Sequence, residues 1–393
     1  MSEGKKNIIT LAVAVVFSLL VIEGMLRLFE TQTYVALWQV NKDNMVVLKP
    51  NLDKNIFDNE DLKYHHVKIN SLGFLGEDVN QEKPIDTLRI AVMGDSYVAA
   101  TGVDFDKTFP YLLTKKVQDL LATATSSAYK KVEVLNFGMG GTGTVDEMKY
   151  YEKYAQKYNP DVVVLSFYLQ NDTVDNSLNY EHRDAMLSSK EQWSTFPQYG
   201  STQVKSFVSI KDKVYRKSAI VRFVDRVVRS SPKLSGLAVK LGLHRPPVKG
   251  ESGLDIPFDD YYYIEPLDSQ RAEYLKFSSD LLNNFKKQLD TDGVKFAIMF
   301  IPEGKTINDD LINAFKNTYP KLKDFNFNPK GMENKLISAV DPSVKVLNLR
   351  ETMTKQVSEN KEMYKNGTGH FAEGGHEVAS DALANFIFDS FFK

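Results

Sequence analysis

Two hydrophobic rhythms organise this chain. The first is an unbroken run. Asn7 to Ile22, "NIITLAVAVVFSLLVI", carries no charge, and the apolar pattern continues through "EGMLRLF" to Phe29. The 22 residues from Ile8 to Phe29 are long enough to cross a bilayer as a helix. Lys5 and Lys6 precede the run, and no small-x-small cleavage site follows it. Glu23 and Arg27 stand at i,i+4 and can pair near an interface. A cleaved signal peptide has the same composition. The length favours an uncleaved anchor, with the two lysines in the cytoplasm and the rest of the chain outside.

The second rhythm begins at Thr87, where short continuous apolar runs alternate with helical spacing. "LRIAVM" (88–93), "KVEVLNF" (131–137), "DVVVLSF" (161–167), "VKFAIMFIP" (294–302) and "VKVLNL" (344–349) read as strands buried on both faces. Residues 109–124, 145–158, 271–289 and 375–392 have helical periodicity between and after them. The alternation predicts a three-layer α/β/α sandwich. Its doubly wound, mostly parallel sheet has five strands and is flavodoxin-like. The rhythm fails over residues 30–85 and again at about 176–266. The chain therefore divides into a cytoplasmic tail at 1–7, a transmembrane anchor at 8–29, an extracytoplasmic lead-in at 30–85 and a main domain at 86–393 carrying an insertion.

Charge changes the picture only locally. Net charge is −2 over 393 residues, so nothing draws the whole chain to nucleic acid. Within the insertion, however, Lys205 to Lys249 holds twelve Lys or Arg against two acids, Asp212 and Asp225. Val214, Val221, Val224 and Val228 fall close to helical spacing there. Such a basic amphipathic helix suits a membrane surface or an anionic glycan, or simply a solvated face packed on the main domain. Cysteine is absent, which excludes disulfides, thiolate nucleophiles and Cys-ligated metals.

In a doubly wound sheet, ligands bind beyond the carboxyl ends of the strands. Four loops follow those ends or precede the last helix: Gly94-Asp95-Ser96, "NFGMGGTGT" (136–144), "YLQND" (168–172) and "NGTGHFAEGGH" (366–376). Ser96 there is a candidate nucleophile. A serine hydroxyl needs a base, and of the six histidines only His370 and His376 lie in a loop expected beside the crevice. His370, flanked by a glycine, is the candidate base; His376 opens the last helix and is expected to pack or cap. The Ser96 N–H, a glycine N–H of the second loop and the Asn171 amide are candidate oxyanion donors. Residues 138–143 also match GxGxxG, but after the second strand and without a suitably placed acid, which disfavours a dinucleotide. The two histidines of "HFAEGGH" lack a third ligand at metal-binding spacing, so no metal or other cofactor is expected.

Together the four loops resemble the SGNH (GDSL) hydrolases, over roughly Leu88 to Phe392 without the insertion. Gly94-Asp95-Ser96 matches the family's first block, Asn136 to Thr142 resembles the second, Asn171-Asp172 ends the third, and His370 with Gly375-His376 resembles the last. The anchor also resembles membrane-tethered bacterial members. The resemblance implies a serine esterase with Ser96 as nucleophile, His370 as base, and Ser96, Gly141 and Asn171 as the oxyanion hole. Asp95, Asp172, Thr368 and His376 would support them. It implies O-acyl groups of envelope carbohydrates as substrates, by hydrolysis or acyl transfer, in a periplasmic setting. One position departs from the pattern. Gly367 and Thr368 stand where the family places an Asp before its His. His370 must then be oriented by a backbone carbonyl, by Asn366 or by an acid elsewhere. Otherwise the chain works as a Ser–His dyad, or it is a weakly active or non-catalytic glycan-binding relative.

Overall fold

The computed structural model describes residues 3–29, 37–58, 60, 61, 63–123, 128–188, 218–230, 234, 237, 258–367 and 369–393. Most of the basic stretch 205–249 therefore lies outside the described residues, as does Thr368. The described parts form two compact units, one holding the N-terminal helix and the part of the insertion within 203–248, the other Leu37–Thr202 and Lys249–Lys393.

In the first unit, helix α1 (Glu3–Phe29) is long and apolar enough to cross a membrane. The second unit begins with two hairpins. Strands β1 (Trp38–Val40) and β2 (Val46–Leu48) pair antiparallel, as do β3 (Asp53–Phe57) and β4 (Tyr64–Lys68). These fill the lead-in, where alternation in the sequence was too weak to predict strands. The strands are only three to five residues long, and their burial runs from the wholly buried β2 to the mostly exposed β1, so their pattern is set by what they pack on. Phe74, fully buried, makes edge-to-face contacts with Phe137, Tyr150 and Tyr154, each contributing about 1 kcal/mol beyond area burial. The Tyr150 hydroxyl donates to the Val46 carbonyl at 2.5 Å. The lead-in is thereby welded to the main domain.

The main domain runs β5 (Thr87–Gly94), α2 (Ser96–Ala99), α3 (Phe109–Thr123), β6 (Lys131–Gly138), α4 (Thr144–Lys153), β7 (Val162–Tyr168), α5 (Asp172–Ser177) and α6 (Arg183–Ser188). The insertion then contributes α7 (Ala219–Ser230) to the first unit. The alternation resumes with β8 (Ile264–Glu265), α8 (Ser269–Thr291), β9 (Lys295–Ile301), α9 (Asp309–Thr318), β10 (Asn326–Phe327), α10 (Gly331–Ala339), β11 (Lys345–Asn348), α11 (Arg350–Ser358) and α12 (Glu373–Phe391).

Five of these strands form the parallel sheet in the order β11-β9-β7-β5-β6. Renumbered within the sheet this is 2-1-3-4-5, the flavodoxin-like order, with the switch point between β5 and β7's side of the sheet. Every residue of β5 and β7 is buried, as continuous apolar runs require in a sheet covered on both faces. On one face Leu88, Ile90 and Val92 meet Phe109, Leu113 and Val117 of α3 and Leu383 and Ile387 of α12. On the other, Phe167 packs edge-on against Phe300, and Phe285 of α8 against Tyr151 and Phe296. The predicted helix 145–158 is shorter than its periodicity suggests: α4 stops at Lys153 and continues as a 3-10 turn over Ala155–Tyr158.

Candidate active site

Asp95 caps α2, its carboxylate accepting the Tyr97 N–H at 2.9 Å. That cap turns the chain sharply after β5 and presents Ser96 at the sheet's carboxyl edge. Gly138, at the end of the neighbouring β6, makes the turn possible. A Cβ there would stand 2.3 Å from the Ala99 nitrogen and 2.5 Å from the Val98 carbonyl carbon, so only glycine admits α2 so close.

The loop before α12 brings His370 to the same edge. Its Nε2 lies 2.8 Å from Ser96 Oγ. The residue that holds its other face comes from the lead-in: His370 Nδ1 lies 2.6 Å from Glu60 Oε1, and the His370 backbone N–H donates to Glu60 Oε2 at 3.2 Å. With Nδ1–H given to the carboxylate, Nε2 is left to accept the serine proton. Asp95 Oδ2 is the serine's other neighbour, but at 3.4 Å it competes poorly with the imidazole. This site resembles that of the SGNH hydrolases. In an SGNH site the acid normally precedes the histidine by two or three residues. Here it arrives from 310 positions upstream, which is why the sequence motif looked incomplete. Of the orienting groups expected from the sequence, the acid elsewhere is the one found. Asn366 plays a different part, donating its amide to the Glu60 carbonyl at 2.6 Å.

Several contacts fix Glu60. A Cβ on Gly369 would meet Glu60 Oε2 at 3.0 Å and the Lys365 carbonyl at 2.9 Å, so the missing side chain is what lets the carboxylate approach. Lys365, 3% exposed, binds Asp58 and the Gly102 carbonyl through Nζ and stands 3.2 Å from Asp61 Oδ2. Its own N–H donates to the His370 carbonyl at 2.8 Å. One lysine thus ties the Glu60 turn to the His370 loop. Asp58, Asp61 and His65 place ligand atoms within 4.8 Å of one another, a metal-like grouping. The Lys365 ammonium already supplies the cation those carboxylates balance. Replacing Lys365 by methionine should cost about 2 kcal/mol of stability, read by urea unfolding, the two acids being about one-fifth exposed. Unchanged unfolding would show the clamp to be idle.

The electrostatics favour a basic imidazole. Burial alone would lower the His370 pKa, but the hydrogen bond and charge of Glu60, helped by Asp95 and Asp58, raise it above its ordinary value. Burial pushes Glu60 up, yet its bonds to His370 and the Lys365 charge outweigh this and hold it below the usual carboxylate range. Beneath the Ser96 turn the balance reverses. Asp172 and Glu147 are fully buried; desolvation, reinforced by Asp95 and Asp175, pushes both well up. Asp95 is raised by burial as well.

The remaining expected residues fall as follows. Asp172 accepts the Tyr168 N–H at 2.8 Å and begins α5, a structural role below the site. The Asn171 amide donates to Asp175 Oδ2 at 3.0 Å, a bond made by one of its two N–H groups. In the second loop, Gly140 is the glycine facing the nucleophile: a Cβ on it would lie 3.6 Å from Ser96 Cβ. The next peptide N–H belongs to Gly141, whose φ of 73° suits glycine. His376 is buried, stacks on Phe109, accepts its N–H at 3.3 Å, and burial drops its pKa to about 3; it packs. Sequence reading missed Glu60, Lys365 and Trp38. The Trp38 indole, 46% exposed, reaches 3.7 Å from that same Cβ position on Gly140. Nothing local distinguishes these residues, since all lie on loops or ribbons without periodicity or motif.

No family model matches the chain, and no curated protein does. Among solved structures it is similar to a two-domain esterase active on acetylated mannans, at 9% identity and a TM-score of 0.39, covering 78% of this chain and 50% of that one. It is similar to an acetylxylan esterase from Geobacillus stearothermophilus, at 8% identity and a TM-score of 0.39, covering 76% and 94%. A G-D-S-L family protein from Desulfitobacterium hafniense, described as lipolytic, is similar at 9% identity and a TM-score of 0.36, covering 76% and 98%.

Proposed function

We propose that this protein is a serine ester hydrolase of the SGNH type, working through Ser96, His370 and Glu60 on O-acyl groups, above all O-acetyl groups, of cell-envelope carbohydrates. The observation that carries the reading is the continuous chain of contacts from Ser96 Oγ through His370 to Glu60, at 2.8 and 2.6 Å. In this reading Ser96 Oγ attacks the acyl carbonyl while His370 Nε2 takes its proton. The Ser96 and Gly141 N–H groups, with the Asn171 amide, receive the oxyanion. His370 then protonates the departing sugar oxygen, leaving an acyl-serine. Water, activated by His370, releases the acid; a second sugar hydroxyl in its place gives acyl transfer. In this reading Glu60 takes the place of the missing Asp, which removes one of the two motives for a non-catalytic glycan-binding protein, the basic insertion being the other.

The sugar assignment is supported by Trp38. A half-exposed indole beside a nucleophile offers a flat apolar face of the kind pyranose rings stack on. The setting is supported by α1 and the two lysines before it, which favour an anchor in the cytoplasmic membrane and a periplasmic catalytic domain.

The direct test is covalent labelling of the detergent-solubilised full chain with a fluorophosphonate, located by peptide mass. An adduct on Ser96 supports an activated serine; no adduct there sinks the reading. Trp38→Ala tests the substrate class. Its KM for an acetylated oligosaccharide should rise about tenfold, or about 1.4 kcal/mol, with a far smaller change for p-nitrophenyl acetate. Equal changes for both would remove the sugar platform.

A further inference from the structure

Helix α7, the described part of the basic insertion, starts at the far end of α1. Glu23 of α1 accepts hydrogen bonds from Ser218 Oγ at 2.9 Å, the Ala219 N–H at 2.9 Å and the Ile220 N–H at 3.1 Å. The carboxylate closes the first turn of α7, and Arg27 pairs with it at 2.8 Å. Glu23 is the first charge after the apolar run and lies six residues before Phe29, which at about 1.5 Å per residue is about 9 Å from the helix end. For a helix spanning from Ile8 to Phe29, that is the depth where acyl chains give way to headgroups. The start of α7 is therefore fixed at that depth.

The composition of α7 suits the same place. At about 100° per residue, Phe223, Val227, Ile220, Val224 and Val228 occupy one arc, and Arg222, Arg226 and Arg229 occupy the opposite one. The apolar arc is open: Phe223 is 47% exposed, Val224 52% and Val227 40%. Apolar exposure of this kind on a twelve-residue helix is unfavourable in water. Next to a bilayer it becomes a binding face, and arginines along the other arc meet anionic headgroups.

We infer that α7 is an interfacial helix lying in the outer surface of the membrane that α1 crosses, its Phe223–Val224–Val227 face in the acyl boundary and its arginines on anionic lipid headgroups. The inference rests on α1 being a membrane span. The occupant of the apolar face is lipid because α7 starts against α1, whose apolar residues are themselves exposed along the span, and because its arginine-rich composition is complementary to anionic lipid. Function follows from the placement: the insertion gives the chain a second, lateral hold on the membrane beside its single span.

The absence of cysteine makes the test clean. Single cysteines at Phe223, Val224, Asp225 and Lys115, and one at Val16 within α1, are labelled with a nitrobenzoxadiazole fluorophore in the full chain. Each variant is reconstituted in phosphatidylethanolamine–phosphatidylglycerol vesicles, with circular dichroism to check folding. Doxyl lipids should quench the probes at Phe223 and Val224 several-fold more than those at Asp225 and Lys115. Quenching at Phe223 and Val224 should weaken in pure phosphatidylcholine and in high salt. Strong quenching at Val16 without any at Phe223 or Val224 overturns the inference and leaves the anchor intact. No quenching at Val16 overturns the anchor itself. A blue-shifted but unquenched probe at Phe223 means protein covers the face, and also overturns the inference. Quenching that ignores lipid charge removes the headgroup contact.

Discussion

Ser96→Ala should lower kcat for p-nitrophenyl acetate by at least about four orders of magnitude, without altering thermal unfolding. The size follows from the geometry. The hydroxyl is the only group poised 2.8 Å from His370 Nε2 among the described residues, and removing a triad nucleophile leaves only oxyanion stabilisation and binding. Folding should be spared because the turn around Ser96 is held by others. Asp95 caps α2 through the Tyr97 N–H, and Gly138 admits the helix against β6. Losing one hydroxyl from a half-buried serine leaves those contacts whole. The measurement is steady-state turnover of both proteins at equal concentration, with melting curves alongside. Equal slow turnover by wild type and variant would mean that Ser96 is not the nucleophile.

Glu60→Gln should lower kcat by about a hundredfold to ten-thousandfold, because glutamine can hold His370 in the wrong tautomer and cannot steady the imidazolium. It should also move the pH profile. His370 acts as a base only when neutral, so activity falls as pH drops through its pKa. Glu60 raises that pKa above the ordinary imidazole value, so the acid limb of kcat/KM in the wild type lies above the usual histidine range. With the carboxylate gone, the raising influence is removed and the limb shifts to lower pH. A variant with reduced kcat and an unmoved limb would place Glu60 outside the charge balance of the imidazole. A variant with wild-type kcat would mean that Ser96 and His370 operate as a dyad, with the lead-in serving only to pack.

These two results separate what a motif can disclose from what it cannot. The parallel sheet was legible because strands buried on both faces must be apolar throughout, as "LRIAVM" and "DVVVLSF" are, and because crossover helices carry their own period. The long apolar helix α1 was legible because Asn7 to Ile22 runs without a charge for longer than a buried helix needs. Ser96 and His370 were legible because a doubly wound sheet sends its strand ends to one edge, so loops far apart in sequence become neighbours by topology alone. Glu60 was not. It sits in the turn between β3 and β4, short strands whose sequence carries no clear alternation, and its reach to His370 depends on Gly369, Asn366 and Lys365 across the chain. The position of α7 was equally hidden: its amphipathic period was readable, but only its bonds to Glu23 tie it to α1. The sequence by itself determined the layers, the burial of the central strands and the meeting of Ser96 with His370 at one edge, because those follow from local periodicity and connection rules. The tertiary structure decided that Glu60 meets His370 and that α7 starts against α1, because each depends on a few polar contacts between segments with no local pattern to announce them.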